Sequence, residues 1–155
     1  MAFPSSINLS SLNGANGFRL DGAADGEQSG NSVASAGDVN GDGIADLIIG
    51  APHPQDDPNG RSSGASYVVF GKVSGFASSI NLSSLNGTSG FRLDGVAAND
   101  FSGYSVAPAG DVNGDGVADL IVGAPNANVE AGASYVVFGL SGGFASSIDL
   151  ATLGT

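Results

Sequence analysis

Residues 37–52 read GDVNGDGIADLIIGAP, and residues 110–125 read GDVNGDGVADLIVGAP. Each copy opens with an acidic, glycine-broken loop and runs directly into a short apolar strand closed by Gly-Ala-Pro. Counting from the first aspartate, oxygen-bearing side chains stand at positions 1, 3, 5 and 9. These are Asp38, Asn40, Asp42 and Asp46 in the first copy and Asp111, Asn113, Asp115 and Asp119 in the second. Position 6 is glycine (Gly43, Gly116), where a chain curling back on itself turns sharply and a positive φ is useful. Position 7 is apolar (Ile44, Val117), so only its backbone carbonyl is on offer.

That donor set suits a hard divalent cation. Ca²⁺ takes about 6–8 oxygens in a flexible arrangement, whereas Mg²⁺ demands a strict octahedron and keeps its waters. The reading is one Ca²⁺ per copy and two per chain. Asp38, Asn40, Asp42, the Ile44 carbonyl and Asp46 would hold one, and Asp111, Asn113, Asp115, the Val117 carbonyl and Asp119 the other. Two ions would bring the formal charge to −11 + 4 = −7. EF-hand and dockerin loops open alike but need an acid at position 12, which here is Ile49 or Val122. The loop runs into LIIG or LIVG, a strand and not an amphipathic helix, so it is placed in a β-hairpin. A metal-free acidic turn, built from Asx-turns and Asn-Gly chemistry, is the alternative. The complete spacing occurring twice favours the metal.

The pair sits within a longer repeat. GFRLDG at 17–22 returns at 90–95, a shift of 73, and 25 of 34 positions are identical between 18–51 and 91–124. Beyond the prolines the shift falls to 68 (Tyr67 to Tyr135), so the first copy carries five extra residues in HPQDDPNGRSS. That Pro/Asp/Asn/Gly stretch reads as a surface loop. A third element occurs three times: FPSSINLSSLNG from Phe3, FASSINLSSLNG from Phe76 and FASSIDLATLGT from Phe144. The chain therefore reads as one module over 1–155, with repeat 1 at about 17–89, repeat 2 at about 90–155, and residues 1–28 supplying an additional N-terminal strand.

Val-, Ile-, Tyr- and Phe-rich runs bounded by Gly, Asp and Pro predict four strands per copy: 18–21 and 91–94, 31–36 and 104–109, 45–50 and 118–123, 65–70 and 133–138. No window shows sustained helical spacing with caps. The INLSSL segments fit a helical turn or an irregular excursion equally. The fold class is all-β, and four strands in a unit of roughly 70 residues read as a β-propeller blade, longer than the ~40–50 of common blade repeats. A lone blade cannot bury both faces and needs neighbours.

Composition narrows the partners. With 4 basic and 15 acidic residues the net charge is −11, which argues against nucleic acid and anionic membranes as partners. Hydrophobic residues make up 41% and fall in ordered, repeated runs, against disorder. The absence of cysteine removes any disulfide framework or thiolate zinc site. The apolar runs are far shorter than the ~20 residues of a membrane helix. MAFPSSINL has no basic region followed by an apolar core, so it does not read as a signal peptide. The expectation is a mature fragment, or export information outside these residues; the near-identity of the copies also fits an excised or designed fragment.

These motifs resemble the FG-GAP repeat of integrin-α-type β-propellers. Gly50-Ala51-Pro52 and Gly123-Ala124-Pro125 match the GAP element. Phe101-Ser102-Gly103 resembles the FG element with one residue inserted, and Gln28-Ser29-Gly30 in the first copy lacks the aromatic. Between them lies the family's DxDxDGxxD loop, here with Asn third. The resemblance covers nearly the whole chain. It implies radially arranged, four-stranded antiparallel blades, a Ca²⁺ at a hairpin loop of each, and an extracellular or cell-surface place in adhesion or ligand binding. Some family members accompany secreted enzymes. Such propellers typically carry seven blades, and two cannot close a ring. The chain opens with a GFRLDG strand and ends in a unit without one, so the N-terminal strand is expected to complete the last blade of a neighbour. Three copies would give six blades and four would give eight. A cyclic homo-oligomer is therefore expected, the trimer ahead of the tetramer.

No catalytic constellation is present: no Cys–His pair, no Gly-x-Ser-x-Gly elbow, no phosphate-cradling loop with Lys. His53, the single histidine, falls in the variable loop. Arg19 with Asp21 and Arg92 with Asp94 share a strand face and read as cross-strand ion pairs or turn caps. Tyr67 and Tyr135 are expected to pack between blades, and Phe18, Phe70, Phe91 and Phe138 in the core. Glu27, Asp100 and Glu130 are expected on solvated loops, and no carboxylate pair is singled out for glycoside hydrolysis. The leading reading is a non-enzymatic, calcium-binding propeller module, a structural, adhesive or ligand-binding scaffold with a protein or glycan partner. A carbohydrate-binding lectin-like propeller is the first alternative. An accessory module of a secreted hydrolase is the weaker one.

Overall fold

The computed structural model describes residues 5–53 and 63–154. Most of the inserted loop of the first copy (54–62) and Phe3 lie outside the described residues. Ten strands occur among the described residues, in order: β1 (Arg19–Asp21), β2 (Ser32–Gly37), β3 (Asp46–Ala51), β4 (Ala65–Val69), β5 (Ser79–Asn81), β6 (Gly90–Asp94), β7 (Ser105–Gly110), β8 (Asp119–Ala124), β9 (Ala133–Val137) and β10 (Ser147–Asp149). The only other regular pieces among the described residues are single turns: 3-10 turns at Leu9–Ser11, Leu82–Ser84 and Leu150–Thr152, and one helical turn at Ala127–Glu130. The class is all-β, as the alternation of β-branched residues and Gly/Asp/Pro punctuation dictates.

Sheet one runs β2-β3-β4-β6-β10; the first four strands are antiparallel neighbours, the order expected of a propeller blade, and β10 adds a parallel strand beyond β6. Its fourth strand comes from the second GFRLDG, so the sheets are offset from the sequence period. Sheet two, β7-β8-β9, has three antiparallel strands among the described residues. The innermost strands of the two sheets sit side by side: Asn31 Nδ2 donates to the Tyr104 carbonyl (2.9 Å), and Val106 N–H to Ser32 Oγ (3.0 Å). Ile48, Val68, Phe91 and Leu93 of sheet one meet Val106, Leu120 and Val122 of sheet two in one apolar cluster. Ile49, Tyr67 and Val69 on the opposite face of sheet one form a second cluster with Leu82 and Leu85.

The second and third INLSSL-type segments are both a strand and a turn, and the first is a turn alone. Asn8, Asn81 and Asp149 each cap the turn that comes after them, their side-chain oxygens accepting the N–H two residues on, at 3.0, 2.8 and 2.8 Å. The residues before the second and third caps form β5 and β10, which leave their own sheets. β5 runs parallel to β1, and β10 runs parallel to β6. Each crossing is fastened by an aromatic stack: Phe76 on Phe18 and Phe144 on Phe91, both with centroids 4.2 Å apart. Leu82 and Leu150 are buried beneath these turns, whereas Leu9, at the equivalent place in the first, is exposed.

The glycine of the GAP element has a steric reason. A Cβ on Gly50 would be driven into the carbonyl oxygen of Gly103, where the chain enters β7 beside β3. Gly50→Ala is expected to cost about 3 kcal/mol through overpacking against backbone that cannot yield. Gly142→Ala, in open space without a positive φ, is expected to be near neutral. Urea denaturation of the two variants checks this.

Several side chains depart from expectation. Phe138 is 55% exposed, while its counterpart Phe70 is 7% exposed, because Phe91 and Phe144 cover Phe70 and nothing described covers Phe138. Arg19–Asp21 and Arg92–Asp94 are ion pairs within one strand, two residues apart, and not across strands. His53 is half-buried and lies edge-on to Phe101, centroids 4.7 Å apart.

Candidate metal centre

The two acidic loops link β2 to β3 and β7 to β8, and they share one winding. Gly43 and Gly116 have φ of +85° and +88°, as the sharp turn at position 6 requires. In the first loop the Asp42 N–H donates to both Asp38 Oδ1 (3.0 Å) and Asn40 Oδ1 (2.9 Å). Gly43 N–H donates to Asp38 Oδ2 (2.8 Å) and Ile44 N–H to Asp42 Oδ1 (2.8 Å). The second loop repeats this: Asp115 N–H to Asp111 Oδ1 and Asn113 Oδ1 (both 3.0 Å), Gly116 N–H to Asp111 Oδ2 (2.9 Å), and Val117 N–H to Asp115 Oδ1 (2.9 Å). The oxygens at positions 1 and 3 therefore converge on a single amide in each copy.

Position 9 behaves differently. Asp46 and Asp119 are completely buried. Asp46 accepts the N–H of Val39 (2.9 Å) and of Gly71 (2.8 Å), and Asp119 those of Val112 (2.7 Å) and Gly139 (2.9 Å). Each thus ties the start of its loop to the chain leaving the third strand of its sheet. Burial pushes the Asp46 carboxyl above its ordinary range; the Gly71 and Val39 N–H groups oppose this, and Asp42 and Asp38 add to it.

The donor chemistry fits a hard cation in part. A carboxylate has about four lone-pair sites, and the N–H groups on Asp38, Asp42 and Asp46 leave capacity on each. As the side chains lie, however, no group of three or more His, Cys, Asp or Glu among the described residues is gathered to hold a metal ion. Asp42, Asp111, Asn113 and Asp115 are exposed, Asp38 and Asn40 are half-buried, and Asp46 and Asp119 face inward. Ile44 and Val117 occupy position 7 at the junction of loop and strand.

Two residues expected in solvent belong to the interior. Glu27 is buried, with Ala23 N–H (2.6 Å) and Tyr67 Oη–H (3.0 Å) donating to its carboxylate. Asp100, at the matching place in the second copy, is buried and accepts Ala97 N–H (2.9 Å). Burial, and then Asp100, raises the pKa of Tyr135. The signal was an acid at 27 and 100 and a tyrosine at 67 and 135, both kept at matching repeat positions. Glu130 is exposed, as expected.

The FG-GAP repeat model matches residues 29–69 and 102–137, one match for each loop and its flanking strands. Integrin alpha-PS2 of Drosophila melanogaster is 37% identical over 134 residues, covering 86% of this chain and 9% of that protein. Integrin alpha-3 of Cricetulus griseus is 33% identical over 124 residues, covering 80% of this chain and 11% of that protein. Phosphatidylinositol-glycan-specific phospholipase D of Bos taurus is 38% identical over 121 residues, covering 73% of this chain and 14% of that protein. The chain thus spans only a small part of each. No helix among the described residues is long and apolar enough to cross a membrane. Two matched repeats, antiparallel sheets and the integrin-α similarity converge: the chain belongs to the FG-GAP repeat family, of the integrin-α propeller type.

Proposed function

We propose that this chain is a non-enzymatic, calcium-binding β-propeller module, each antiparallel sheet one blade, acting outside the cell as an adhesive or ligand-binding scaffold. The observation that carries this is the doubled loop, in which the side-chain oxygens of Asp38 and Asn40, and of Asp111 and Asn113, turn toward one amide at the tip of a β-hairpin. Asp42 and Asp115, the Ile44 and Val117 carbonyls, and Asp46 and Asp119 complete each donor set. Calcium bound there supplies positive charge among crowded carboxylates and stiffens the hairpin. Among the described residues β1 pairs only with β5 and β9 only with β8, and these edges support head-to-tail assembly into a closed ring of three or four copies.

A ligand at about 100 times its Kd stabilises the folded state by about 2.7 kcal/mol. Saturating calcium is therefore expected to raise the melting temperature by several degrees relative to EGTA. Asp115→Ala should remove part of that gain. Identical melts with calcium and with EGTA would defeat the proposal.

A glycan-binding reading draws on one cleft. It has a volume of about 480 Å³ and is lined by Asn40, Asp42, Lys72, Phe76, Ser84 and Thr88, which combine hydroxyls, charge and an aromatic face. Glycan-array binding separates that reading from a purely protein-directed scaffold.

A further inference from the structure

Where the two sheets meet, the first acidic loop is gripped by the second half of the chain. Ala118 N–H donates to the Asp38 carbonyl (3.0 Å) and Leu140 N–H to the Val39 carbonyl (2.9 Å). Val39, between the first two oxygen-bearing positions, is 0% exposed. The second loop has the same internal winding but no such grip. Its Val112 is 56% exposed, and the carbonyls of Asp111 and Val112 accept no hydrogen bond among the described residues.

The opposite end of the molecule carries the complementary half. Ala45 and Lys72 correspond to Ala118 and Leu140 by the shifts of 73 and 68, and their N–H groups find no acceptor among the described residues. Val33 is 68% exposed, whereas its counterpart Val106, packed at the internal junction, is 8% exposed. The strands match as well: among the described residues β6 has β10 on one side and β4 on the other, but β1 has only β5, and β9 has only β8.

We infer that the second acidic loop is a clasp for the first sheet of a second copy of this chain. Ala45 and Lys72 of the second copy donate to the Asp111 and Val112 carbonyls, and Val33 of the second copy takes the place that Val106 holds internally. β1 of the second copy runs antiparallel along β9, with Arg19 opposite Tyr135 and Asp21 opposite Ala133, the register of β6 on β4. Resting on the calcium reading above, the inference adds that ion and docking are coupled, because one loop serves both. Coupling between two ligands is reciprocal. Two added backbone hydrogen bonds are worth about tenfold in an equilibrium constant.

Sedimentation velocity of the full chain over a range of protein concentrations tests this, with calcium, with EGTA, and with EGTA plus sodium chloride at matched ionic strength. The last arm accounts for simple screening of the −11 charge. Calcium is expected to shift association to about tenfold lower protein concentration, the low end of what coupling between two sites supplies, and matched salt is not. Val112→Ser and Phe138→Ser leave the loop charge untouched and change residues that are already exposed, so they should fold, stay monomeric and still bind calcium by titration. Val129→Ser, exposed elsewhere, should associate like the parent. A chain that stays monomeric throughout, or whose association ignores both substitutions, overturns the clasp. Calcium bound without any shift in association overturns the coupling and leaves the calcium reading standing. No calcium uptake by titration removes that reading and the coupling together.

Discussion

Phe91→Ala is expected to lower the unfolding free energy by about 3–5 kcal/mol, the range for truncating a fully buried aromatic ring. Phe91 is completely buried on β6, stacked on Phe144 at 4.2 Å and 5.9 Å from Phe70. It is the point at which β6, between β4 and β10, meets the segment that returns from beyond β9. Removing the ring leaves a cavity against both, and neither Phe70 nor Phe144 can collapse into it without leaving its own strand or turn. Phe18→Ala provides the comparison. The same ring stacks on Phe76 at the same 4.2 Å but stays half-buried, so its loss should cost markedly less. Urea denaturation with unchanged m-values reads both numbers. A cost for Phe91→Ala below about 1 kcal/mol would mean that β6 does not complete sheet one as described.

The second large effect concerns Asp46. Asp46→Ala strips the acceptor from the Val39 and Gly71 N–H groups at a site with no solvent to replace it. Each buried donor left unpaired costs about 1–3 kcal/mol, so a loss of about 2–5 kcal/mol is expected. The decisive condition is EGTA. If Asp46 serves as a clamp between loop and sheet, the loss persists without calcium. Asp42→Ala, on the exposed part of the same loop, should lose most of its effect there. Equal losses for the two variants in calcium, and none for either in EGTA, would make Asp46 a metal ligand with no structural role of its own.

Much of the architecture was visible in the residues. Strand positions could be read from the β-branched runs to within about one residue, because glycine, aspartate and proline mark each edge. The two halves were evident because the loops repeat almost letter for letter. What escaped detection depends on chain paths. Nothing local to FASSINL says that β5 will leave its sheet for β1, since a three-residue strand carries too little pattern to name a partner. Glu27 sits among Gly, Asp and Gln and looks solvated; only the approach of Tyr67, 40 residues away, seals it. Phe138 looked like core because Phe70 is core, but burial belongs to what lies above a ring and not to its place in a repeat. Asp46 stood at position 9 of the donor pattern, but its two backbone bonds come from residues far apart in the chain, at 39 and 71.

Because sheet one takes β6 from the second sequence copy and β10 from the third INLSSL-type element, adjoining stretches interlock like roof tiles. Excising one sequence period therefore does not remove one intact module. A cut at residue 89 would take away the fourth strand, Phe91 and the overlying β10 at once, leaving Val68 and Phe70 bare. Gain or loss of whole periods in the gene is tolerable only where the tiling resumes on both sides of the splice. The functional unit is therefore the overlap between neighbours, and the array inherits its cooperativity from that overlap.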